Sequence, residues 1–229
     1  MIRIRQIALV AAHLDTAIAD LSEALDVDVI YRDPGVREFG LENALFCLGD
    51  QFLEIVSPVQ AGTTAGRLLE KRGGDCGYMA IYDTDNVDDL VAHATSLGVR
   101  FVWQGSVPGI RGRHMHPKDT SGTLVSIDQT DVPGEWPWAG RQWRDARPSS
   151  VASGIISYEV AVHDVGASTA RWRDIGILHD VTLTPIGVQG EGLHTVNLMA
   201  VDPTRHGEEI TVVGTTFRLV APPGPQGNS

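Results

Sequence analysis

RQIALVAAHLDTAIADLSEALDVDV, residues 5–29, decides how the rest of the chain folds. An apolar run follows Gln6, an Asp-containing turn interrupts it, and Ile18, Leu21 and Leu25 then recur at three- and four-residue spacing. That period predicts an amphipathic helix, and the exit through Val27 and Val29 predicts another strand. The same grammar returns in GYMAIYDTDNVDDLVAHATSLGVRF, residues 77–101, with Leu90, Ala94 and Leu97 as the inner stripe and Gly98 as helix terminator. It returns again in ISYEVAVHDVGASTARWRDIGILHDV, residues 156–181.

Short alternating runs follow each helix. After the first come DVIYRDP, REFGLENALFCLG and QFLEIVSP; after the second, VRFVWQG, GRHMHP and GTLVSIDQ; after the third, DVTLTPIG, LHTVNLMAV and EEITVVG. Gly, Asp and Pro separate them, so the repeating unit reads β-α-β-β-β. One helix covers only one face of each small sheet, and two units paired through their open faces enclose a hollow. The expected class is therefore α+β: repeated βαβββ modules, two paired into a curved mixed β-sheet half-barrel with flanking helices, plus a third module.

The expected boundaries are residues 1–130 for the paired modules, 131–150 for a connector, 151–221 for the third module and 222–229 for a disordered tail. The connector carries Trp136, Trp138 and Trp143, which are too large to leave in water. They are expected to pin the third module onto the first two. A module without a mate leaves a strand edge open, which predicts a homodimer.

Composition narrows the function classes. The formal net charge of −11 repels phosphate backbones, so nucleic acid is not an expected partner; most of that charge is read as solubility, although it also suits a cationic ligand. No apolar run has the length of a membrane span and Met1 to Arg5 lacks a signal-peptide core, so the expectation is a cytoplasmic protein with no membrane partner. Cys47 and Cys76, without CxxC spacing, read as reduced structural thiols.

HPKDTSGTLVSID (116–128), QFLEIVSP (51–58) and IALVAAHLDTAIADL (7–21) together resemble the vicinal oxygen chelate superfamily, in particular its glyoxalase and methylmalonyl-CoA epimerase-like branch, which shares the glyoxalase/bleomycin resistance/dioxygenase fold. The resemblance spans residues 1–130 and, more weakly, the third module. In metal-dependent members, four strands each send one ligand into the cavity. Carried onto this chain, those positions are Gln6, where His is commonest and Gln is also known; Glu54, which matches; Tyr78, where His is usual; and Ser126, where Glu is usual.

A hard divalent ion needs several carboxylate, imidazole or amide oxygen donors, and a neutral phenol and serine hydroxyl are poor ones. Gln6 and Glu54 alone would hold Zn, Mn, Ni or Co weakly or not at all. Without histidine at the four positions, ring-cleaving dioxygenase chemistry is disfavoured.

Glu54 stands alone among Phe52, Leu53, Ile55 and Val56. One reading is a salt bridge to Arg5 or Arg113 or simple exposure; the other is an inward carboxyl with an altered pKa, acting as base or ligand. Tyr78 and Ser126 opposite it would make a neutral floor with one acid, Tyr78 polarising a carbonyl. His114 and His116, two apart on a strand, share a face if the strand runs through both. His114 is a candidate ligand or base and His116, with Gln6 and Ser126, a candidate substrate contact; the other reading makes both hydrogen-bonded structural histidines. The functional expectation is an isomerase- or lyase-type enzyme on a small carbonyl or thioester substrate. The alternatives are a metal-free, resistance-type protein that sequesters a small molecule, and a scaffold with a decayed cavity.

Overall fold

The computed structural model describes residues 1–222. The tail assigned above to 222–229 lies, beyond its first residue, outside the described residues.

The first copy runs β1 (Ile2–Val10), α1 (Leu14–Leu25), β2 (Val29–Tyr31), β3 (Leu41–Leu48) and β4 (Gln51–Pro58). A helix that the periodicity did not predict, α2 (Thr64–Arg72), leads out of it. The Thr63 hydroxyl accepts from the Gly66 N–H at 2.9 Å at its start, and Gly73 ends it in the left-handed region. The second copy is β5 (Cys76–Thr84), α3 (Val87–Ser96), β6 (Phe101–Val107), β7 (Ile110–Met115) and β8 (Leu124–Thr130).

Both copies share one eight-stranded sheet, in the order β2-β3-β4-β1-β5-β8-β7-β6. Within each copy the first and last strands run parallel, and β1 joins β5 antiparallel, with Ile7 opposite Ala80. The α+β half-barrel of paired modules is therefore present. The face bearing Ile7, Leu9, Tyr82 and Ile127 packs against α1, α3 and the C-terminal sheet, while the opposite face curves around a cavity.

Two irregularities re-aim side chains at the seam. The β1–β5 register passes from Ala8–Met79 to Leu9–Gly77, leaving Tyr78 as the extra residue of a bulge; it likewise passes from Ile4–Tyr82 to Gln6–Ile81, bulging Arg5. A bulge breaks strict alternation, and Tyr78 and Met79, adjacent in sequence, both line the cavity.

The C-terminal sheet contains β9 (Ala152–Val162), β10 (Val181–Pro185), β11 (Gly192–Ala200), β12 (Glu209–Val212) and β13 (Thr215–Val220), with α4 (Val165–Ile175) after β9. Its order is β10-β9-β11-β13-β12. After α4 the chain makes one strand, β10, parallel to β9; then β11 pairs antiparallel with β9, and β13 runs parallel to β11. These pairings repeat the plan of the large sheet in reduced form, with a 3₁₀ turn at Pro203–Arg205 where a second helix would stand. The mate that the sequence reading sought in another chain is thus supplied by β11, β12 and β13. That ground for a homodimer is withdrawn.

The two sheets meet through buried aromatics. The hydroxyls of Tyr82 and Tyr158 lie 2.7 Å apart, and Tyr82 also donates toward the His179 carbonyl at 2.7 Å. Gly77 allows β11 to come close: a Cβ there would sit 2.5 Å from the Leu193 carbonyl oxygen. The connector behaves differently from expectation. Trp136 and Trp143 pack with Ala8, Leu45 and Phe52 on the cavity face of the large sheet instead of fastening the C-terminal sheet. Arg5, fully buried, lies among the rings of Phe52, Trp136 and Trp143 at 5.4–5.7 Å and pairs with Asp50 at 2.8 Å. Among the described residues, no helix is long and apolar enough to cross a membrane.

Candidate active site

The cavity has a volume of about 510 Å³, within the range of small-molecule sites. Glu54 enters it from β4 and is only 7% exposed. Neither arginine considered as its partner reaches it: Arg5 pairs with Asp50, and Arg113 donates to the carbonyls of Gly105 and Gly112. Two amides hold the carboxyl instead. Gln6 Nε2 donates to Oε2 at 2.8 Å and Asn43 Nδ2 donates to Oε1 at 2.6 Å.

The orientation of both amides is set from behind. An indole N–H only donates, and Trp136 Nε1 donates to Gln6 Oε1 at 2.7 Å; a backbone N–H only donates, and that of Asp33 donates to Asn43 Oδ1 at 2.8 Å. Each amide therefore turns its NH₂ toward Glu54. Burial raises the Glu54 pKa above its ordinary value, against the opposing pull of the Asn43 and Gln6 hydrogen bonds.

A second carboxyl changes the reading of a floor with one acid. Asp128, on β8 and 2% exposed, lines the same cavity. Its Oδ1 accepts from the Ser126 hydroxyl and its Oδ2 from Trp138 Nε1 at 2.7 Å. Burial pushes it up to about 7, although both hydrogen bonds favour its ionised form. Ser126 is fully buried and is not itself in the cavity wall; it holds Asp128 in place of meeting a ligand.

Tyr78 lines the cavity, its phenol pushed up to about 12 by burial with a further contribution from Glu54, so it is a protonated donor at neutral pH. His114 also lines it, with its ring 4.4 Å from that of Trp103. Burial pushes that imidazole down to about 3, which keeps it neutral. His116 is elsewhere. Strand β7 ends at Met115, so the alternation that would have placed His116 beside His114 stops one residue short. Its Nδ1 accepts from the Lys118 N–H at 3.1 Å and caps the Pro117–Asp119 turn.

The site brings together Gln6, Glu54, Tyr78 and His114, and adds Asn43, Asp128, Trp136 and Trp138, which the sequence reading did not single out for the site. For Asp128 a signal was present: it stands two residues after Ser126 on one strand and so shares its face.

These donors do not suit a metal ion. Glu54 has both oxygens committed to amide N–H groups, Gln6 has its oxygen turned away to Trp136, and Asn43 has its oxygen turned to the backbone. Among the described residues no three His, Cys, Asp or Glu side chains gather as a metal centre would need.

The model of the glyoxalase-like domain family matches residues 7–176, about three quarters of the chain. No curated protein sequence matches. Among solved structures, a variant of the Streptomyces coelicolor methylmalonyl-CoA epimerase in complex with 2-nitronate-propionyl-CoA aligns at 22% identity, covering 59% of this chain and 98% of its own, with a TM-score of 0.52. The Mycobacterium tuberculosis methylmalonyl-CoA epimerase aligns at 20% identity over 57% of this chain and 89% of its own, with a TM-score of 0.51. At those identities the likeness is one of fold. With its paired βαβββ modules, and with the family model spanning both of them, the chain belongs to the glyoxalase-like domain family of the vicinal oxygen chelate superfamily.

Proposed function

We propose that the chain is an isomerase- or lyase-type enzyme that moves a proton at the carbon beside a carbonyl group of a small molecule. The observation that carries this reading is the Glu54 carboxyl, buried without a cation at the cavity wall and held by two amides whose orientations are themselves fixed. Ionised Glu54 takes the carbon-bound proton, and the electron pair moves onto the carbonyl oxygen. Tyr78, a neutral phenol, donates a hydrogen bond to that oxygen as its charge grows. Asp128, which holds a proton up to about pH 7, is a source for the proton that returns to carbon. His114 stays neutral and offers a hydrogen bond without charge. A positioned base contributes about 10²–10⁴-fold, and one oxyanion donor about 10²–10³-fold.

The Streptomyces coelicolor epimerase variant is in complex with 2-nitronate-propionyl-CoA, and a thioester is one of the carbonyl classes this reading covers. Wash-in of solvent deuterium into a panel of ketones, aldehydes and thioesters tests it. Glu54→Gln is expected to slow wash-in by at least about 10²-fold with binding retained; equal rates would remove Glu54 from the reaction.

A second reading, a sequestering protein, is favoured by the aromatic wall around Phe39, Trp103 and Trp138. Saturable ligand binding with no wash-in across the panel would select it.

A further inference from the structure

The side chains around the cavity mouth carry a message separate from the proton-moving pair. Asp33 and Glu38 both line it, and among the described residues no lysine or arginine does. Asp33 Oδ1 accepts from the Gly35 N–H at 2.8 Å, and Glu38 Oε1 accepts from Trp103 Nε1 at 3.1 Å. Neither forms an ion pair among the described residues. With Glu54 and Asp128 further in, every formally charged side chain of the lining is an acid.

Flat aromatic side chains stand between these acids. Phe39 meets Trp103 edge-on at 5.7 Å between ring centroids, and Trp138 lies 6.5 Å from Trp103. Several polar side chains in the wall, the Tyr78 phenol and the His114 imidazole deepest among them, with Tyr31, Gln104 and Ser106, make no hydrogen bond to protein among the described residues. They are left for a ligand, and all are neutral donors or acceptors.

We propose that the cavity selects a flat carbonyl compound, an aryl or cyclic ketone or aldehyde without carboxylate, phosphate or coenzyme A tail, and rejects anions. The carbonyl in this statement rests on the proton-transfer reading, whereas the charge preference rests on the lining alone. An anion would enter past two carboxylates and find no cation inside, which leaves it buried and unpaired. A cation meets no such penalty, since the mouth acids and the aromatic faces of Trp103 and Trp138 both attract positive charge. A flat neutral ring stacks on Trp103 and Trp138 and presents its carbonyl to Tyr78.

Matched probes test the preference without requiring turnover: acetophenone, 4-acetylbenzoate, (4-acetylphenyl)trimethylammonium and acetyl-CoA, titrated calorimetrically against the full chain at pH 7.5. Acetophenone is expected to bind at least about tenfold tighter than 4-acetylbenzoate, the step that about 1.4 kcal/mol of discrimination gives, with acetyl-CoA weaker still and the ammonium probe no weaker than acetophenone. Glu38→Gln, a rim change that spares the interior, is expected to narrow the gap to 4-acetylbenzoate. The proposal is overturned if 4-acetylbenzoate or acetyl-CoA binds as tightly as acetophenone, if the ammonium probe binds as weakly as 4-acetylbenzoate, or if acetophenone shows no saturable binding. If the predicted order holds while no probe exchanges deuterium, the charge preference stands and the proton-transfer reading falls.

Discussion

Replacing Asp128 by Asn changes one proton in the cavity wall, and the structure sets the size of the effect. The carboxyl is buried and pushed up from 3.8 to about 7. Between those values the unfolded chain ionises the group while the folded chain keeps it protonated, so the unfolded state is favoured progressively. Stability therefore falls as pH rises through the window and levels off above about 7. At about 1.4 kcal/mol per pH unit the full window is worth about 4 kcal/mol, of which about 3 kcal/mol lies above pH 5. Asn keeps the shape and stays neutral throughout: its oxygen accepts from Trp138, and its NH₂ donates to the Ser126 hydroxyl, whose own hydrogen turns to the Arg113 carbonyl, 3.3 Å away. Urea unfolding of wild type and Asp128→Asn at pH 5, 6, 7 and 8 isolates the difference, because every other titrating group is common to both. The wild type is expected to lose about 3 kcal/mol relative to the variant between pH 5 and 8, most of it before pH 7. Two stability curves running parallel over that range would refute the assignment of a buried, proton-holding carboxyl.

Trp136→Phe keeps most of the ring but removes the N–H that pins Gln6, leaving a buried amide oxygen unpaired; a loss of about 1–3 kcal/mol in urea unfolding is expected, with slower exchange as Gln6 becomes free to turn. Asn43→Leu removes a hydrogen bond that favours ionised Glu54, so the acid limb of the pH–rate profile should move to higher pH; an unmoved limb would mean that Glu54 is not the base. Tyr82→Phe, on the opposite face of the sheet, deletes the hydroxyl linking the two sheets and should lower stability by about 1–3 kcal/mol while leaving exchange rates unchanged.

The half-barrel was legible because its signals are local. Ile18, Leu21 and Leu25 repeat at helical spacing, the strands alternate, and both patterns recur with the copy. Glu54 was legible for the same reason, as a single acid in an apolar strand. Its partners were not. Asn43 sits within LENALFCL, where neither spacing nor composition tells which strand lies across from it, and Trp136 stands 130 residues from the Gln6 it holds. The three tryptophans were recognised as packing residues, but where they pack depends on tertiary placement that no window of sequence contains. Tyr78 reaches the cavity beside Met79 through a bulge, which breaks the period-two rule used to read strands. His116 failed for a related reason: the strand ended before it. In the C-terminal sheet the pattern of strands was visible, but their pairing order was not, because alternation reports faces and says nothing of neighbours.

Carbon–deuterium wash-in, followed before and after exhaustive chelation of purified protein, bears most directly on the claim that side chains alone hold and move the proton. Chelated protein should exchange its substrate at the unchelated rate, and added Zn, Mn, Ni or Co should leave that rate where it is. Activity that disappears with the chelator and returns with one of those ions would show that Glu54 and its amides serve a metal after all.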